Sequence, residues 1–163
     1  TSQSFQFIFG FEMRLVGLTH GGFYAHFKSK DELKALACRR AVADMLDDWK
    51  ARADAQPEDG LGAIIRGYLT MAHRDDPGTG CLMAALGPEV PRESAIVRKA
   101  VAECLEEVLR VISSFAPGKN AEERRQKSIS IFSMLVGAMV AARAVSGTLS
   151  GEILSAVDAT LLN

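Results

Sequence analysis

The side chains able to do chemistry gather between Thr19 and Lys30. His20, Tyr24, His26, Lys28 and Lys30 can all donate hydrogen bonds, and no carboxylate lies among them. Such a set suits an anion. Gly21 and Gly22 stand in the same stretch. Glycines are poor helix formers, yet without side chains they let a partner approach backbone N–H groups at a helix N-terminus, where the dipole favours negative charge. Other chemistries find little to use. His20, His26 and His73 have no metal-ligand spacing with Cys38, Cys81, Cys104 or the acids. No nucleophile elbow, phosphate-binding loop or dinucleotide fingerprint occurs. The adjacent acids Asp47-Asp48 and Glu106-Glu107 point in different directions on a helix. No catalytic residues, metal or cofactor are therefore expected, and the chain reads as a non-enzyme. An enzyme site in a helical bundle would need carboxylates converging in the core.

The elements that must position these groups are helical. Thr19 is a good N-cap for a short helix to about His26. Ser29 stands three residues before Glu32, the capping-box spacing, so a second helix begins near Lys30. That helix runs to about Ala55, with Leu33, Leu36, Ala37, Val42, Met45, Leu46 and Trp49 at three- and four-residue steps, and Gln56-Pro57 ends it. From Glu58, the residues Leu61, Ile64, Ile65, Tyr68, Leu69 and Ala72 form one apolar stripe. Residues 73–80 read as a loop, and Cys81 to Leu86 as a short apolar helix or turn. A helix from Pro91 to about Phe115 points Val97, Val101, Leu105, Val108, Ile112 and Phe115 inward. Asn120, with Glu123 three residues on, caps a helix that turns apolar from Ile129 to Val145, and Ser150 starts a last one.

The run from Gly17 to Leu33, above all Tyr24-Ala25-His26-Phe27-Lys28-Ser29-Lys30-Asp31-Glu32-Leu33, resembles the end of the helix-turn-helix of TetR-type (tetracycline-repressor-like) transcriptional regulators. The resemblance implies an all-α fold with an N-terminal helix-turn-helix, residues 1–46 including the start of a connecting helix, and a ligand-binding and dimerisation body, residues 47–163. Carried over position by position, it places Thr19 at the cap of the recognition helix. It puts His20, Gly21 and Gly22 at the major groove, and Tyr24, His26 and Lys30 on phosphates. Phe23 and Phe27 would be core. Phosphate contacts hold register and base contacts specify, so His20 is the main candidate for reading a base. Residues 1–16 can supply the end of a supporting helix but not the whole of the family's preceding pair, so the helix-turn-helix is expected to be incomplete here.

The resemblance further implies a homodimer on palindromic double-stranded operator DNA, formed through the two C-terminal helices. Gly137, Ala138, Ala141 and Ala142 would permit close helix approach. It also implies a small apolar effector bound in the body, with Trp49, Tyr68, Met71, Cys81, Met83, Phe115, Phe132 and Met134 as candidate lining residues. The function expected is that of a ligand-responsive regulator, a repressor. The rival reading is a helical sensor or binding protein without competent DNA binding in this chain. For each lining candidate taken singly, plain core is the simpler role.

Charge distribution agrees with a nucleic-acid contact at one end. Residues 1–40 hold six Lys/Arg against three acids, a net of +3, so the remainder carries −4 of the overall −1. Three cysteines without CxxC spacing read as reduced thiols in a cytoplasmic protein. Cys81, after Gly78-Thr79-Gly80, is also a candidate oxidant-sensing thiol. No signal peptide is evident. The apolar run 131–145 is interrupted by Ser133 and Arg143 and is shorter than the ~20 residues a membrane span needs.

Overall fold

The computed structural model describes residues 27–78 and 80–162, and within them the chain is all α-helical. The order is α1 (Lys30–Ala55), a 3₁₀ turn (Pro57–Asp59), α2 (Gly60–Tyr68), α3 (Met71–Asp75), α4 (Leu82–Leu86), a 3₁₀ segment (Gly87–Arg92), α5 (Ala95–Phe115), α6 (Ala121–Ala144) and α7 (Thr148–Leu162). Helix α1 packs on α5 and α2, α5 packs on α6, and α6 on α7, with α4 and the 3₁₀ segment closing one side.

Short polar side chains start most of these helices. At α1 the Ser29 hydroxyl accepts from the Glu32 N–H at 3.1 Å, and the Glu32 carboxylate reaches back to the Lys28 N–H at 2.6 Å. Asn120 and Glu123 repeat the arrangement at α6, with bonds of 2.9 and 2.8 Å. Asp59, Thr70 and Ser94 cap α2, α3 and α5. Each cap satisfies a first-turn N–H that the helix itself leaves open.

Several boundaries differ from the sequence reading. The stripe beginning at Leu61 does not belong to one helix: α2 ends at Tyr68, and the Thr70 cap restarts the chain as α3, so His73 lies in a helix rather than a loop. Pro91 falls inside a 3₁₀ segment, and α5 starts only after Ser94. The last helix begins at Thr148, two residues before Ser150. The buried edge of α1 is Ala35, Cys38, Val42, Leu46, Trp49 and Ala53, whereas Leu36 is 48% exposed. Helix α1 runs unbroken from Lys30 to Ala55, as the sequence reading expects.

One core joins all the long helices. Ile64, Ile65, Ile112, Leu135, Met139 and Ala142 are wholly inaccessible. A satellite cluster of Cys38, Val97 and Val101 packs the first half of α1 on the start of α5. Beside it Lys34 and Glu93 form a 2.7 Å ion pair in which the Glu93 side chain is 6% exposed. The pair clamps the start of α1 to the segment leading into α5.

Helix α6 is the one helix among the described residues long and apolar enough to cross a membrane. Only 39% of its most apolar window is buried within the chain. The small residues divide between its faces: Ala138 and Ala142 are buried in the chain's own core, while Gly137, Val140, Ala141 and Ala144 face outward with Ile129 and Ser133. These outward positions follow three- and four-residue spacing and make one continuous apolar, small-residue stripe.

Candidate functional site

Two regions carry candidate residues. Thr19, His20, Gly21, Gly22, Tyr24 and His26 lie outside the described residues. Lys30 opens α1 and is exposed, as is Lys28 two residues before it, so both ammonium groups can reach an external anion. Phe27 is partly buried.

The second region is built where α2, α3, α4 and α6 meet. Trp49 from α1 meets the Tyr68 ring edge-on, with centroids 6.1 Å apart, and Tyr68 meets His73 edge-on at 4.5 Å. The Thr70 cap turns the chain so that the His73 imidazole folds back under Tyr68. Its Nδ1 lies 2.8 Å from the Tyr68 carbonyl, and its Nε2 lies 3.1 Å from the Cys81 N–H. A backbone N–H can only donate, so Nε2 accepts and Nδ1 carries the proton. The two bonds thus require neutral imidazole in one tautomer. Gly80 makes this close approach possible: a Cβ placed there would meet the His73 ring and stand 3.3 Å from the Arg143 guanidinium.

Arg143, near the end of α6, closes the other side. Its Nη2 donates to the His73 carbonyl at 2.7 Å and its Nε to the Arg74 carbonyl at 3.1 Å, so the guanidinium caps the C-terminus of α3. Arg74 in turn donates to the Ser150 hydroxyl at 2.9 Å, and Ser150 donates to the Ala142 carbonyl at 2.7 Å. Helices α3, α6 and α7 are thereby joined by one polar chain. The Tyr68 hydroxyl and Arg143 Nη1 are buried without a nitrogen or oxygen hydrogen-bond partner among the described residues. Tyr68 Oη stands against the Cys81 thiol, and burial pushes the phenol far above its usual range, so it is a neutral donor.

Cys81 also lines a small cavity. Val42 and Met45 of α1, Leu82 and Met83 of α4, Val101, Cys104, Leu105 and Val108 of α5, and Phe132 of α6 complete the wall. Its volume is about 10 Å³, about the space for one water molecule and far below the several hundred Å³ of a ligand-filled pocket. Four of the ten lining residues bear sulfur, and the unbranched Met45 and Met83 are only partly buried. Such side chains change shape at low cost.

Among the lining candidates, Cys81, Met83 and Phe132 reach this cavity. Trp49 and Tyr68 are buried behind it. Met71 and Phe115 are 45% and 37% exposed, and Met134 is outside the wall. Sequence reasoning missed His73, placed in a loop, and Arg143, treated only as a break in an apolar run. A lone arginine in that run was the available signal for an interior charge. The three cysteines are free and buried. Burial raises the Cys38 thiol to about 11 and shifts Cys104 the same way, so both stay protonated at neutral pH. Among the described residues no group of three or more His, Cys, Asp or Glu is placed to hold a metal ion.

Burial, aided by the Arg143 charge, holds the His73 pKa below 6.5, against the opposing pull of the Tyr68 carbonyl and Asp76. The unfolded chain therefore binds the proton first, and stability gained above pH 6.5 is lost as pH falls toward the folded-state value. Urea unfolding midpoints are expected to drop between pH 7.5 and 5.5, and His73→Gln should flatten that dependence. An unchanged slope in the variant would assign it to other groups.

Compared with family models and with curated proteins, the chain matches none.

Proposed function

We propose that the chain is a ligand-responsive transcriptional regulator of the TetR type, a cytoplasmic repressor that binds palindromic operator DNA as a homodimer. The observation that carries this reading is the sequence from Tyr24 to Leu33 running into a capped, 26-residue helix. In that family such a helix joins the DNA-reading end to the body. Lys30, exposed at the first position of α1, is available to a phosphate, in keeping with the role the resemblance gives it.

Two further features support it. The outward stripe of α6, from Ile129 to Ala144, belongs to the helix that packs on α7, where Leu149, Ala156 and Ala159 are exposed. Two copies of this helix pair could close into a four-helix bundle with both stripes covered. The cavity among α1, α4, α5 and α6 touches the connecting helix directly through Val42 and Met45. An effector expanding that cavity would displace α1, and affinities for effector and DNA would then be reciprocally linked.

The test is an electrophoretic mobility shift of the full chain on the DNA upstream of its own coding region, at several salt concentrations. Binding that weakens steeply with salt is expected, together with a dimer by light scattering. Ala141→Glu, which places a charge on the α6 stripe, should give a folded monomer with DNA affinity reduced at least a hundredfold. Absence of salt-sensitive binding to any genomic fragment would overturn the reading.

A further inference from the structure

The wall of the small cavity is made for one kind of guest. None of its lining side chains carries oxygen or nitrogen, yet Met45, Cys81, Met83 and Cys104 all bring sulfur to it. Met45 comes from α1, Cys104 from α5, and Cys81 and Met83 from the start of α4. A space of about 10 Å³ admits a single atom-sized guest. Water is a poor one, since it needs roughly two to four polar partners. Oxygen-seeking cations find no ligand among these side chains. Zinc is poorly served too, because two thiols fall short of its usual set of nitrogen, oxygen and thiolate ligands. An ion that takes thiolate and thioether together finds four candidate ligands. A second observation points to the same sulfur. Tyr68 is 2% exposed, and its hydroxyl, without a nitrogen or oxygen partner, lies against the Cys81 thiol. A donor placed behind a ligating sulfur holds that ligand in position.

We propose that this cavity is a binding site for one copper(I) ion, with Cys81 and Cys104 as thiolate ligands and Met45 and Met83 as thioether ligands. Each thiol that ligates releases its proton to solvent, and its electron pair forms the sulfur–metal bond, so affinity rises with pH. Two thiolates and one monovalent ion leave a net negative charge. The Tyr68 hydroxyl offsets it beside Cys81, and Arg39, whose charge acts on Cys104, offsets it on the other side. Cys38 is buried in the neighbouring cluster and is not part of the wall. The site is argued from the wall alone and goes beyond the DNA-binding reading, so failure of copper binding leaves that reading untouched.

The test is an anaerobic titration of the full chain with copper(I) against bicinchoninate, a chromophoric copper(I) chelator, with zinc(II) titrated in parallel. One copper(I) per chain is expected, bound more tightly as pH rises, with no comparable zinc binding. Cys81→Ser and Cys104→Ser should each weaken copper(I) binding by about a hundredfold or more. The volume-conserving pair Met45→Leu and Met83→Leu should keep the parent's thermal unfolding and bind copper(I) about tenfold more weakly. Cys38→Ala should leave affinity unchanged. The site is overturned if no copper(I) binds at one per chain, if zinc binds as tightly, if the methionine pair proves dispensable, or if Cys38→Ala costs as much as Cys104→Ser. That last result would mark adventitious binding to free thiols.

Discussion

Trp49→Ala is expected to lower unfolding stability by about 3–5 kcal/mol in urea titrations, a large loss for a single substitution. Trp49 is 3% exposed, lies midway along α1, and is the residue through which that helix meets the aromatic pair Tyr68 and His73. Removing the indole leaves a cavity that Val42, Leu46 and Ala53, fixed on the same rigid helix, cannot fill. Phe115→Ala is the control. Phe115 is 37% exposed, and its ring covers Gly60 at the periphery. Its loss should cost less than half as much. Equal costs for the two would mean that Trp49 is not the joint between α1 and α2.

Gly80→Ala comes next, with an expected loss of about 2–4 kcal/mol. The new methyl would stand 2.5 Å from the His73 Cδ2. A side-chain tip can often swing away from such a contact, but this ring is held at both nitrogens. Moving it strips the Cys81 N–H of its acceptor and the Tyr68 carbonyl of its donor. In a His73→Ala background the same Gly80→Ala change should cost under 1 kcal/mol, because the obstructing ring is gone. Additive costs in that cycle would show that the loop backbone, and not the imidazole, is what Gly80 accommodates.

How much of this was legible in the sequence depended on whether the signal was local. Ser29 with Glu32, and Asn120 with Glu123, announced α1 and α6 because a cap is a contact over three residues. The all-helical class followed from apolar spacing for the same reason. The face buried by α1 was read one position off near its start, where Leu36 outranks Ala35 and Cys38 in apolarity. What decides burial there is packing against Val97 and Val101 of α5, a partner about 60 residues away in sequence. The hub was largely illegible. His73, Cys81, Arg143 and Ser150 are separated by up to 77 positions, and the helical turn that seats His73 hangs on a single threonine cap. Of the lining candidates, those flanked by helix–helix packing reached the interior. Phe115 and Met71, at helix ends, did not, whereas Tyr68 at the end of α2 and Cys81 at the start of α4 are covered by neighbouring helices.

Helix α1 spans about 39 Å at 1.5 Å per residue, and its lever geometry has a quantitative consequence. Lys30 stands about 28 Å along the axis from Trp49. If the tryptophan acts as the fulcrum, a tilt of about 5° carries the Lys30 backbone sideways by about 2.5 Å. The force need not be applied at the far end. Val42 and Met45 lie roughly 6–11 Å from the fulcrum, so a displacement of under 1 Å at the cavity wall is enough. The Lys34–Glu93 ion pair lies on the long arm, where travel is greatest, so such a tilt would have to stretch it. In the proposed dimer the two arms move together, and their tips would change separation by about 5 Å, more than the 3.4 Å rise of one base pair.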